Sequence, residues 1–274
     1  MLTKTIPASG EALPAIGIGT YKGFDLADGA ETRTRLAEVL RRLFAAGGTI
    51  VDSSPMYGRA EARAGQALAA LGKQCDAFIM TKVWTSGREA GIRQMENSLK
   101  LMRAGRMDLM QVHNLLDVAV NLKTLREWKA AGRIRYLGIT HYHAGAHDEL
   151  GRLLKTRAWD FAQFNYSLAE REAEARLLPL CAELGVAAVV NRPFAGGALF
   201  RQVKGKALPA WAAEFDCASW AQFFLKWILS HPAVTCAIPG SGRAAHLRDN
   251  MQAGLGRLPD VPMRRRMAET LDRP

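Results

Sequence analysis

Short apolar segments alternate with amphipathic segments along almost the whole chain. The apolar segments are rich in Val, Ile, Leu and Met, which is typical of buried parallel strands. The amphipathic segments repeat their apolar positions about every 3.6 residues, as helices do. After a small hairpin in residues 3–14, we predict eight strands at 16–20, 49–52, 77–83, 107–113, 134–140, 161–166, 187–191 and 234–238. The predicted helices lie at 31–46, 59–71, 88–103, 121–131, 144–156, 171–184, 218–231 and from 244 onward.

This alternation predicts a parallel sheet with helices on its outside. Eight such units in 274 residues fit a closed (β/α)8 TIM barrel, as a single domain over residues 1–274 with an N-terminal β-hairpin and a short C-terminal helix. The competing architecture is an open doubly wound sheet, whose first strand should continue into G-x-G-x-x-G. The first predicted strand here continues as Gly17-Ile18-Gly19-Thr20-Tyr21-Lys22, which lacks the third glycine. We therefore predict the barrel.

The chain is basic, with 37 Lys and Arg against 26 Asp and Glu and a formal net charge of +11. Most of the basic residues fall on predicted helices, and one cluster lies at Arg264-Arg265-Arg266. Because no basic stripe is interleaved with aromatic residues, we expect no nucleic-acid partner. The positive charge instead favours an anionic small molecule.

The four cysteines, Cys75, Cys181, Cys217 and Cys236, are far apart and form no C-x-x-C pair. Neither a disulfide framework nor a zinc site follows from them, and we expect no metal. The sequence shows no charged-then-apolar leader and no apolar run of membrane-spanning length. We expect a cytoplasmic protein without a membrane partner, and a monomer, with oligomerisation left open.

Polar residues end several of the predicted apolar strands. The stretch Thr49–Gly58 ends a strand at Asp52, turns at Ser53-Ser54-Pro55 and carries Tyr57 on the loop. Taken alone, this pattern fits a turn-forming aspartate and a core-covering tyrosine as well as it fits catalysis. Because barrel strands present their C-terminal ends on one face, the other strand ends favour catalysis. Those ends are Lys82, His113, Thr140, His141, Gln163, Asn165, Asn191 and the loop Gly240–Arg243.

Lys82 is the most informative of these strand-end residues. It follows the apolar residues Phe78–Thr81, and a lysine buried there needs a carboxylate partner. Asp52, one strand away, is the predicted partner. His113 taken alone fits a hydrogen-bonded core imidazole better than a catalytic one.

Taken together, these residues resemble a known catalytic tetrad. Asp52 and Tyr57 in Val-Asp-Ser-Ser-Pro-Met-Tyr-Gly, Lys82 in Thr-Lys-Val-Trp and His113 in Gln-Val-His-Asn are similar to the Asp-Tyr-Lys-His set of the aldo-keto reductases. The resemblance extends along nearly the whole chain, through Gly138-Ile139-Thr140, Gln163-Phe164-Asn165-Tyr166 and Ile238-Pro239-Gly240-Ser241. It implies hydride transfer from a reduced nicotinamide to a small-molecule aldehyde or ketone.

The family's mechanism assigns a role to each member of the tetrad. Tyr57 is the general acid, and His113 orients the substrate oxygen. Lys82 lowers the pKa of Tyr57, and Asp52 keeps Lys82 charged and oriented.

The resemblance also implies where the cofactor binds. The nicotinamide amide is held by Thr140, His141 and Gln163, although relatives often have Ser-Asn at the first two positions. Asn191 occupies a position at which many relatives stack an aromatic residue on the nicotinamide ring. The loop that follows is similar to one that runs along the pyrophosphate, and its matching residues are Phe194, Gly196, Gly197 and Leu199.

The loop and helix after the last strand predict NADPH rather than NADH. Many NADPH-using relatives have a lysine at the position of Gly240 and an arginine at that of His246, so two contacts to the 2′-phosphate are missing. Ser241 remains as a hydroxyl donor, and Arg243 is the predicted discriminator, with a smaller margin than in relatives that keep the lysine. The residues expected to hold the adenine are Asp249 and Asn250.

The substrate pocket is predicted to be lined by Tyr21, Met56, Trp84 and Tyr142. Because the sequence ends soon after the eighth helix, we expect an open pocket without a long covering loop. Two alternative functions stay open. One is a cofactor-binding regulatory or sensing protein with little turnover, and the other is a lyase that forms a Schiff base on Lys82. Retention of the whole tetrad favours the reductase.

Overall fold

The computed structural model describes residues 1–272 and contains two sheets. The strands are β1 Thr3–Thr5, β2 Ala12–Pro14, β3 Ile18–Gly19, β4 Ile50–Asp52, β5 Phe78–Val83, β6 Met107–His113, β7 Ile134–Thr140, β8 Phe161–Asn165, β9 Ala187–Asn191 and β10 Val234–Ala237. β1 and β2 pair antiparallel as the predicted N-terminal hairpin. The strands from β3 to β10 form one parallel sheet in chain order.

The parallel sheet closes on itself. Isolated parallel bridges join Ile16 to Ala237 and Gly19 to Gly240, so that the first barrel strand pairs with the last. The backbone N–H of Gly17 also donates to the carbonyl oxygen of Ala237 at 2.9 Å. The prediction of a (β/α)8 barrel is therefore confirmed.

Helices cover the outside of the barrel. They are α1 Ala30–Ala45, α2 Ala60–Ala70, α3 Arg88–Met102, α4 Val118–Ala130, α5 His147–Leu154, α6 Leu177–Leu184, α7 Ala198–Gln202, α8 Trp220–Leu229, α9 Ala244–Gln252 and α10 Val261–Asp272. Short 3₁₀ turns lie at 144–146, 172–174, 195–197 and 210–215. The connection between β9 and α8 is long because it contains α7 and two of these turns, and α10 is the predicted C-terminal helix. Within residues 1–272, none of the helices combines the length and the apolar character needed to cross a bilayer.

Two apolar layers hold the barrel together. Inside it, side chains from alternate strand positions, such as Met80 and Leu109, pack with Ile6 and Leu13 of the hairpin. The hairpin therefore plugs the N-terminal end of the barrel. A larger layer lies between the strands and the surrounding helices. Since the N-terminal end is filled with apolar side chains, the C-terminal end is left for polar groups.

Most of the predicted boundaries are confirmed within two residues, and four differ. The helix predicted at 144–156 begins as a 3₁₀ turn and becomes α-helical only at His147. The strand predicted at 16–20 keeps regular pairing only at Ile18–Gly19. The helix predicted from 121 begins three residues earlier, at Val118. The helix predicted at 171–184 begins only at Leu177. Pro179 has no backbone N–H to donate and is tolerated only in a first helical turn, so the preceding residues form a 3₁₀ turn instead.

Candidate active site

A buried ion pair lies at the C-terminal ends of β4 and β5. The Nζ of Lys82 donates to both carboxylate oxygens of Asp52, at 2.9 and 2.8 Å, and to the backbone carbonyl oxygen of Ser53 at 2.6 Å. All three ammonium protons are therefore used. The side chain of Lys82 is 0% exposed and that of Asp52 is 2% exposed, so the pair is shielded from water.

Charge compensation keeps Lys82 protonated in spite of its burial. Burial is the largest single effect and lowers the pKa of Lys82, but Asp52 and Tyr57 together outweigh it, and the pKa is raised above its ordinary value. Burial raises the pKa of Asp52, while Lys82 and Gln163 oppose that rise. The Nε2 of Gln163 donates to Asp52 Oδ1 at 3.2 Å. A fixed positive charge therefore lies at the mouth of the barrel at neutral pH.

A tight turn delivers Tyr57 to this charge. The backbone N–H of Tyr57 donates to the carbonyl oxygen of Ser54 at 2.9 Å. Pro55 occupies the second position of this turn, where proline is favoured. The Nζ of Lys82 lies 5.0 Å from the centroid of the Tyr57 ring.

Two opposing effects set the pKa of Tyr57. Burial raises the pKa of Tyr57 above its ordinary value, and the charge of Lys82 opposes this rise without reversing it. The expectation that Lys82 lowers the pKa of Tyr57 is therefore confirmed for the contribution of Lys82, while burial, the larger effect, makes the net shift upward.

His113 ends β6 beside the Tyr57 loop. Its Nδ1 lies 3.0 Å from Ser54 Oγ, and both side chains are buried. Burial, the charge of Lys82 and the neighbouring His141 lower the pKa of His113 to about 3. The imidazole is therefore neutral at physiological pH. Its ring meets the Tyr57 ring edge-on with centroids 6.0 Å apart, so the four members of the predicted tetrad lie in one cluster.

A row of polar side chains extends from the ion pair across the barrel mouth. Gln163 Oε1 accepts a hydrogen bond from Thr140 Oγ1 at 3.1 Å and lies 3.5 Å from Asn191 Nδ2. Asn191 Nδ2 also donates to the backbone carbonyl oxygen of His141 at 3.0 Å. The residues predicted to surround the nicotinamide therefore form one hydrogen-bonded group, which Gln163 connects to Asp52.

Two atoms of this group have no partner. Asn191 Oδ1 and His141 Nδ1 are buried and make no hydrogen bond within residues 1–272. Buried polar atoms are rarely left without a partner, so these two indicate a place for a polar ligand. The amide of Gln163, by contrast, already has partners at both its nitrogen and its oxygen.

The loop after β9 has a backbone conformation that favours glycine. Gly196 and Gly197 have φ angles of +63° and +93°, a region that side-chain-bearing residues rarely adopt. Phe194 packs against Phe200 with ring centroids 4.8 Å apart, and Leu199 is fully buried. The two apolar residues therefore anchor the loop to the core while the glycines shape it.

The loop after β10 lies at the start of α9. Ser241 Oγ accepts the backbone N–H of Arg243 at 3.2 Å and donates to its carbonyl oxygen at 3.1 Å. The hydroxyl expected to serve as a free donor is therefore used within its own loop. Gly240 and Arg243 are exposed. Arg35 of α1 reaches the same loop, where its Nε donates to the carbonyl oxygen of Gly242 at 2.7 Å.

The residues predicted to hold the adenine lie on α9. The carboxylate of Asp249 accepts hydrogen bonds from Ser219 Oγ, at 2.9 and 2.8 Å, and from Gln222 Nε2 at 2.6 Å. These bonds fasten α9 to the start of α8. Asn250 is buried beside Asp249 in the sequence. Adenine recognition by this pair stays a prediction.

Four large side chains form an exposed rim around the tetrad. Their exposed fractions are 54% for Tyr21, 41% for Met56, 40% for Trp84 and 47% for Tyr142. The Tyr21 ring lies 5.0 Å from that of Tyr57, and the Trp84 ring lies 6.4 Å from that of His113. Tyr142 stacks on His141, at 5.2 Å. A group of exposed apolar side chains marks an interaction surface, so this rim is the candidate substrate surface.

The sequence pattern does not indicate three further contributors to this region: the carbonyl group of Ser53, the hydroxyl group of Ser54 and the guanidinium group of Arg35. Ser53-Ser54-Pro55 predicts a turn but not the atoms that its hydroxyl groups face. Arg35 is one of four arginines in α1, and its sequence context does not distinguish it from the others.

Comparison with known proteins agrees with this geometry. A model of the Aldo/keto reductase family matches residues 15–266. The methylglyoxal reductase YeaE of Escherichia coli (strain K12) is 31% identical over 259 residues, which cover 91% of this chain and 89% of that protein. A crystal structure of an aldo/keto reductase from Klebsiella pneumoniae in complex with NADP and acetate has a TM-score of 0.83 at 24% identity, covering 100% of this chain and 97% of that chain. A crystal structure of an aldo-keto reductase from the same organism in complex with NADPH has a TM-score of 0.81 at 25% identity, with the same coverage.

The family match includes the whole predicted tetrad. Residues 15–266 make up most of the chain and contain all four members of the tetrad. The relative from Escherichia coli is aligned over nearly the full length of both proteins. The chain therefore belongs to the aldo/keto reductase family.

Proposed function

We propose that this protein reduces the carbonyl group of a small aldehyde or ketone to an alcohol, with NADPH as the reductant and Tyr57 as the proton donor. The observation that carries the proposal is the buried ammonium group of Lys82, which Asp52 holds beside the Tyr57 ring. The reaction adds a hydride to the carbonyl carbon and a proton to the carbonyl oxygen. NADPH supplies the hydride when bound, and the protein supplies the proton.

Tyr57 is suited to hold this proton and then to release it. Its raised pKa keeps the hydroxyl protonated at neutral pH, so the donor state is populated before the reaction. When the proton leaves, the charge of Lys82 stabilises the phenolate that forms. Asp52 keeps that charge in place. Lys82 therefore acts on the product of the proton transfer more than on the resting tyrosine.

His113 is the second group for the substrate oxygen. Because its imidazole is neutral, it can donate a single hydrogen bond without replacing Tyr57 as the acid. The rings of Tyr57 and Trp84 flank it, at 6.0 and 6.4 Å between centroids. A carbonyl oxygen between Tyr57 and His113 would be polarised by two donors, which favours charge development on that oxygen.

The protein's own residues fit a nicotinamide dinucleotide. The NH2 group of the nicotinamide carboxamide can donate a hydrogen bond to Asn191 Oδ1, and His141 Nδ1 offers a second hydrogen-bonding partner. Thr140 and Gln163 would support this contact from below, since both are buried and hydrogen-bonded to each other. Where many relatives stack an aromatic ring on the nicotinamide, Asn191 would make a polar contact with the carboxamide instead.

The remaining parts of the cofactor site follow from the two loops. The left-handed glycines after β9 permit a close approach of the backbone to a pyrophosphate, as proposed for Phe194–Leu199. Arg243, exposed at the start of α9, offers a charge-assisted contact to a 2′-phosphate. The NADPH in one of the Klebsiella pneumoniae structures supports the same choice of cofactor.

The substrate class follows from the rim and from a relative. The name of the relative from Escherichia coli points to methylglyoxal, a small aldehyde that also carries a ketone. An exposed aromatic rim suits substrates of this size and somewhat larger ones, because its side chains are open to solvent. The four cysteines are free and three of them are buried, which suits a reducing cytoplasm.

The geometry weighs against the Schiff-base alternative. A lyase of that kind needs a neutral lysine amine with a free lone pair. Lys82 has a raised pKa, and its three protons are donated to Asp52 and to the backbone of Ser53. The other alternative, a regulatory protein with little turnover, is distinguished from an enzyme only by the measured rate of carbonyl reduction.

The test is a spectrophotometric assay of NADPH oxidation with methylglyoxal and other small carbonyl compounds. Wild type is expected to turn over, and Tyr57→Phe is expected to lose most of its kcat while it binds NADPH with nearly unchanged Kd. Tyr136→Phe is the matched control, because Tyr136 also carries a hydroxyl but donates it to Ser9 at the hairpin end of the barrel. Wild-type turnover by Tyr57→Phe would remove Tyr57 as the acid, and binding of NADPH without any turnover by wild type would favour the regulatory alternative.

A further inference from the structure

The direction of the Ser54 hydroxyl proton follows from the hydrogen bonds of the side chain. The side chain is fully buried. Its Oγ accepts the backbone N–H of Met56 at 3.2 Å and lies 3.0 Å from His113 Nδ1. A backbone N–H can only donate, so the oxygen of Ser54 is the acceptor in the first contact. The second contact must then decide where the hydroxyl proton goes.

Within residues 1–272, the acceptor available to the Ser54 proton is His113 Nδ1. If Nδ1 carried its own proton, both contacts would use Ser54 as an acceptor, and the buried hydroxyl proton would have no partner. Leaving a buried donor unpaired costs about 1–3 kcal/mol. If Nδ1 is unprotonated, every group is satisfied, and a neutral imidazole then carries its single proton on Nε2.

We propose that Ser54 is a positioning residue that fixes His113 in the neutral tautomer protonated at Nε2, and so makes His113 a hydrogen-bond donor to the substrate oxygen. The role of the donated bond rests on the proposed carbonyl reduction, whereas the tautomer itself does not. In the other tautomer, Nε2 would present a lone pair to the carbonyl oxygen and would repel it.

The turn that carries Tyr57 also aims the Ser54 hydroxyl group. Ser54 and Tyr57 are the first and last residues of one hydrogen-bonded turn, with Pro55 fixing the second position. The bond from the Met56 N–H to Ser54 Oγ is the side-chain version of the same turn. The two donors proposed for the substrate oxygen are therefore coupled, since Tyr57 lies on this turn and His113 is hydrogen-bonded to it.

The first measurement is the tautomer of His113 in the wild-type protein without cofactor or substrate. The chain has six histidines, so the ring nitrogens can be resolved in a long-range 1H–15N correlation spectrum of 15N-labelled protein. The spectrum of His113→Gln identifies the His113 signals by their loss. We expect Nδ1 to be unprotonated and Nε2 to be protonated at neutral pH. A proton on Nδ1, or on both nitrogens, would overturn the proposal whatever the variants do.

The second measurement compares hydroxyl deletions. Ser54→Ala should shift the His113 Nδ1 signal and lower kcat/KM for carbonyl reduction by about tenfold, with unchanged Kd for NADPH. Ser54→Thr keeps a hydroxyl group and should restore both the signal and most of the rate. Ser98→Ala is the matched control, because Ser98 is also a fully buried serine but lies on α3, outside the tetrad.

The outcomes separate this inference from the proposed function. Wild-type Nδ1 signals and wild-type rates in Ser54→Ala would show that Ser54 does not position His113. If no carbonyl compound is reduced by any form of the protein, the proposed function fails, while the tautomer assignment stands or falls on the spectrum alone. If Ser54→Ala does not fold, the wild-type spectrum decides the tautomer.

Discussion

Arg35 Nε donates a hydrogen bond to the carbonyl oxygen of Gly242 at 2.7 Å, across 207 positions of sequence. The contact joins α1 to the loop that precedes Arg243. The backbones also meet here, since a Cβ atom on Gly23 would lie 2.8 Å from the backbone nitrogen of Gly242. The loops after the first and last barrel strands therefore pack directly on each other, and Arg35 fixes the segment from which Arg243 projects.

Removing Arg35 is expected to weaken NADPH binding more than NADH binding. In Arg35→Ala, the loop that contains Gly242 loses a hydrogen bond, and a positive charge near the expected 2′-phosphate is removed. Kd for NADPH should therefore rise by a factor of about 3–10. Titration of intrinsic fluorescence with each cofactor measures both constants. Arg33→Ala is the control, because Arg33 lies on the same helix and pairs with Asp28 instead. Equal weakening of both cofactors in Arg35→Ala would limit the role of Arg35 to general stability.

Arg243 is expected to be the main discriminator between the two cofactors. A charge-assisted contact to the 2′-phosphate contributes about 1.5–3 kcal/mol, so Arg243→Ala should raise Kd for NADPH by roughly tenfold or more. NADH lacks the phosphate and should bind the variant almost as it binds wild type. Arg248→Ala removes the same charge from an exposed position within α9 and serves as the control. Equal losses for NADPH and NADH on Arg243→Ala would show that this arginine does not read the phosphate.

The barrel is readable from the sequence where strands are continuous apolar runs. β6, β7 and β9 have the predicted boundaries, because each apolar run is bounded by polar or turn-forming residues. The strand predicted at 16–20 is shorter, since it pairs regularly with β4 only at Ile18–Gly19 and meets the last barrel strand, far away in the sequence, only through isolated bridges. The split before α6 depends on the position of one proline within a helical turn, which an apolar pattern does not resolve.

The strand-end positions of the candidate site are also predictable, but their partners are not. Asp52 and Lys82 follow from the rule that a buried lysine needs a carboxylate. The contact between Ser54 and His113 joins residues 59 positions apart, and the sequence around each of them fits several structures. The pKa shift of Tyr57 is a balance between burial and a nearby charge. The direction of this shift depends on the depth of burial, which only the structure supplies.

Removal of Lys82 is expected to affect stability as well as activity. Lys82→Met leaves the carboxylate of Asp52 buried without its partner, which should lower the free energy of unfolding by about 3–5 kcal/mol. The double variant Asp52→Asn, Lys82→Met removes both charges and should be more stable than Lys82→Met alone, while both variants lose most of their kcat. Urea unfolding monitored by circular dichroism gives the free energies.

The matched control for this series is Lys226→Met. Lys226 is also fully buried, but its Nζ donates to the carbonyl oxygens of Leu255 and Arg257 at 2.6 and 2.8 Å, away from the tetrad. The Lys226→Met protein should be less stable than wild type and should keep the wild-type kcat per folded molecule. A Lys82→Met protein as stable as wild type would contradict the view that Asp52 depends on this lysine.

Glu61 provides a prediction for the pH dependence of stability. This carboxyl group of α2 is buried and accepts a hydrogen bond from Thr81 Oγ1, next to Lys82 in the sequence, at 2.6 Å. Burial raises the pKa of Glu61 above its ordinary value of 4.5, and the bond from Thr81 opposes the rise. A group whose pKa is raised on folding contributes stability below its unfolded pKa, and this contribution is lost as the pH rises through its folded pKa.

Glu61→Gln should therefore become more stable relative to wild type as the pH rises from about 4.5 through the folded pKa of Glu61. The amide stays neutral and its oxygen can still accept the bond from Thr81, so the two proteins should differ little at the acidic end. Urea unfolding across this pH range measures the difference. Glu269→Gln makes the same charge change at an exposed position of α10 and should follow wild type throughout. Parallel pH profiles for wild type and Glu61→Gln would mean that Glu61 titrates alike in the folded and unfolded chains, and that its burial has no energetic consequence.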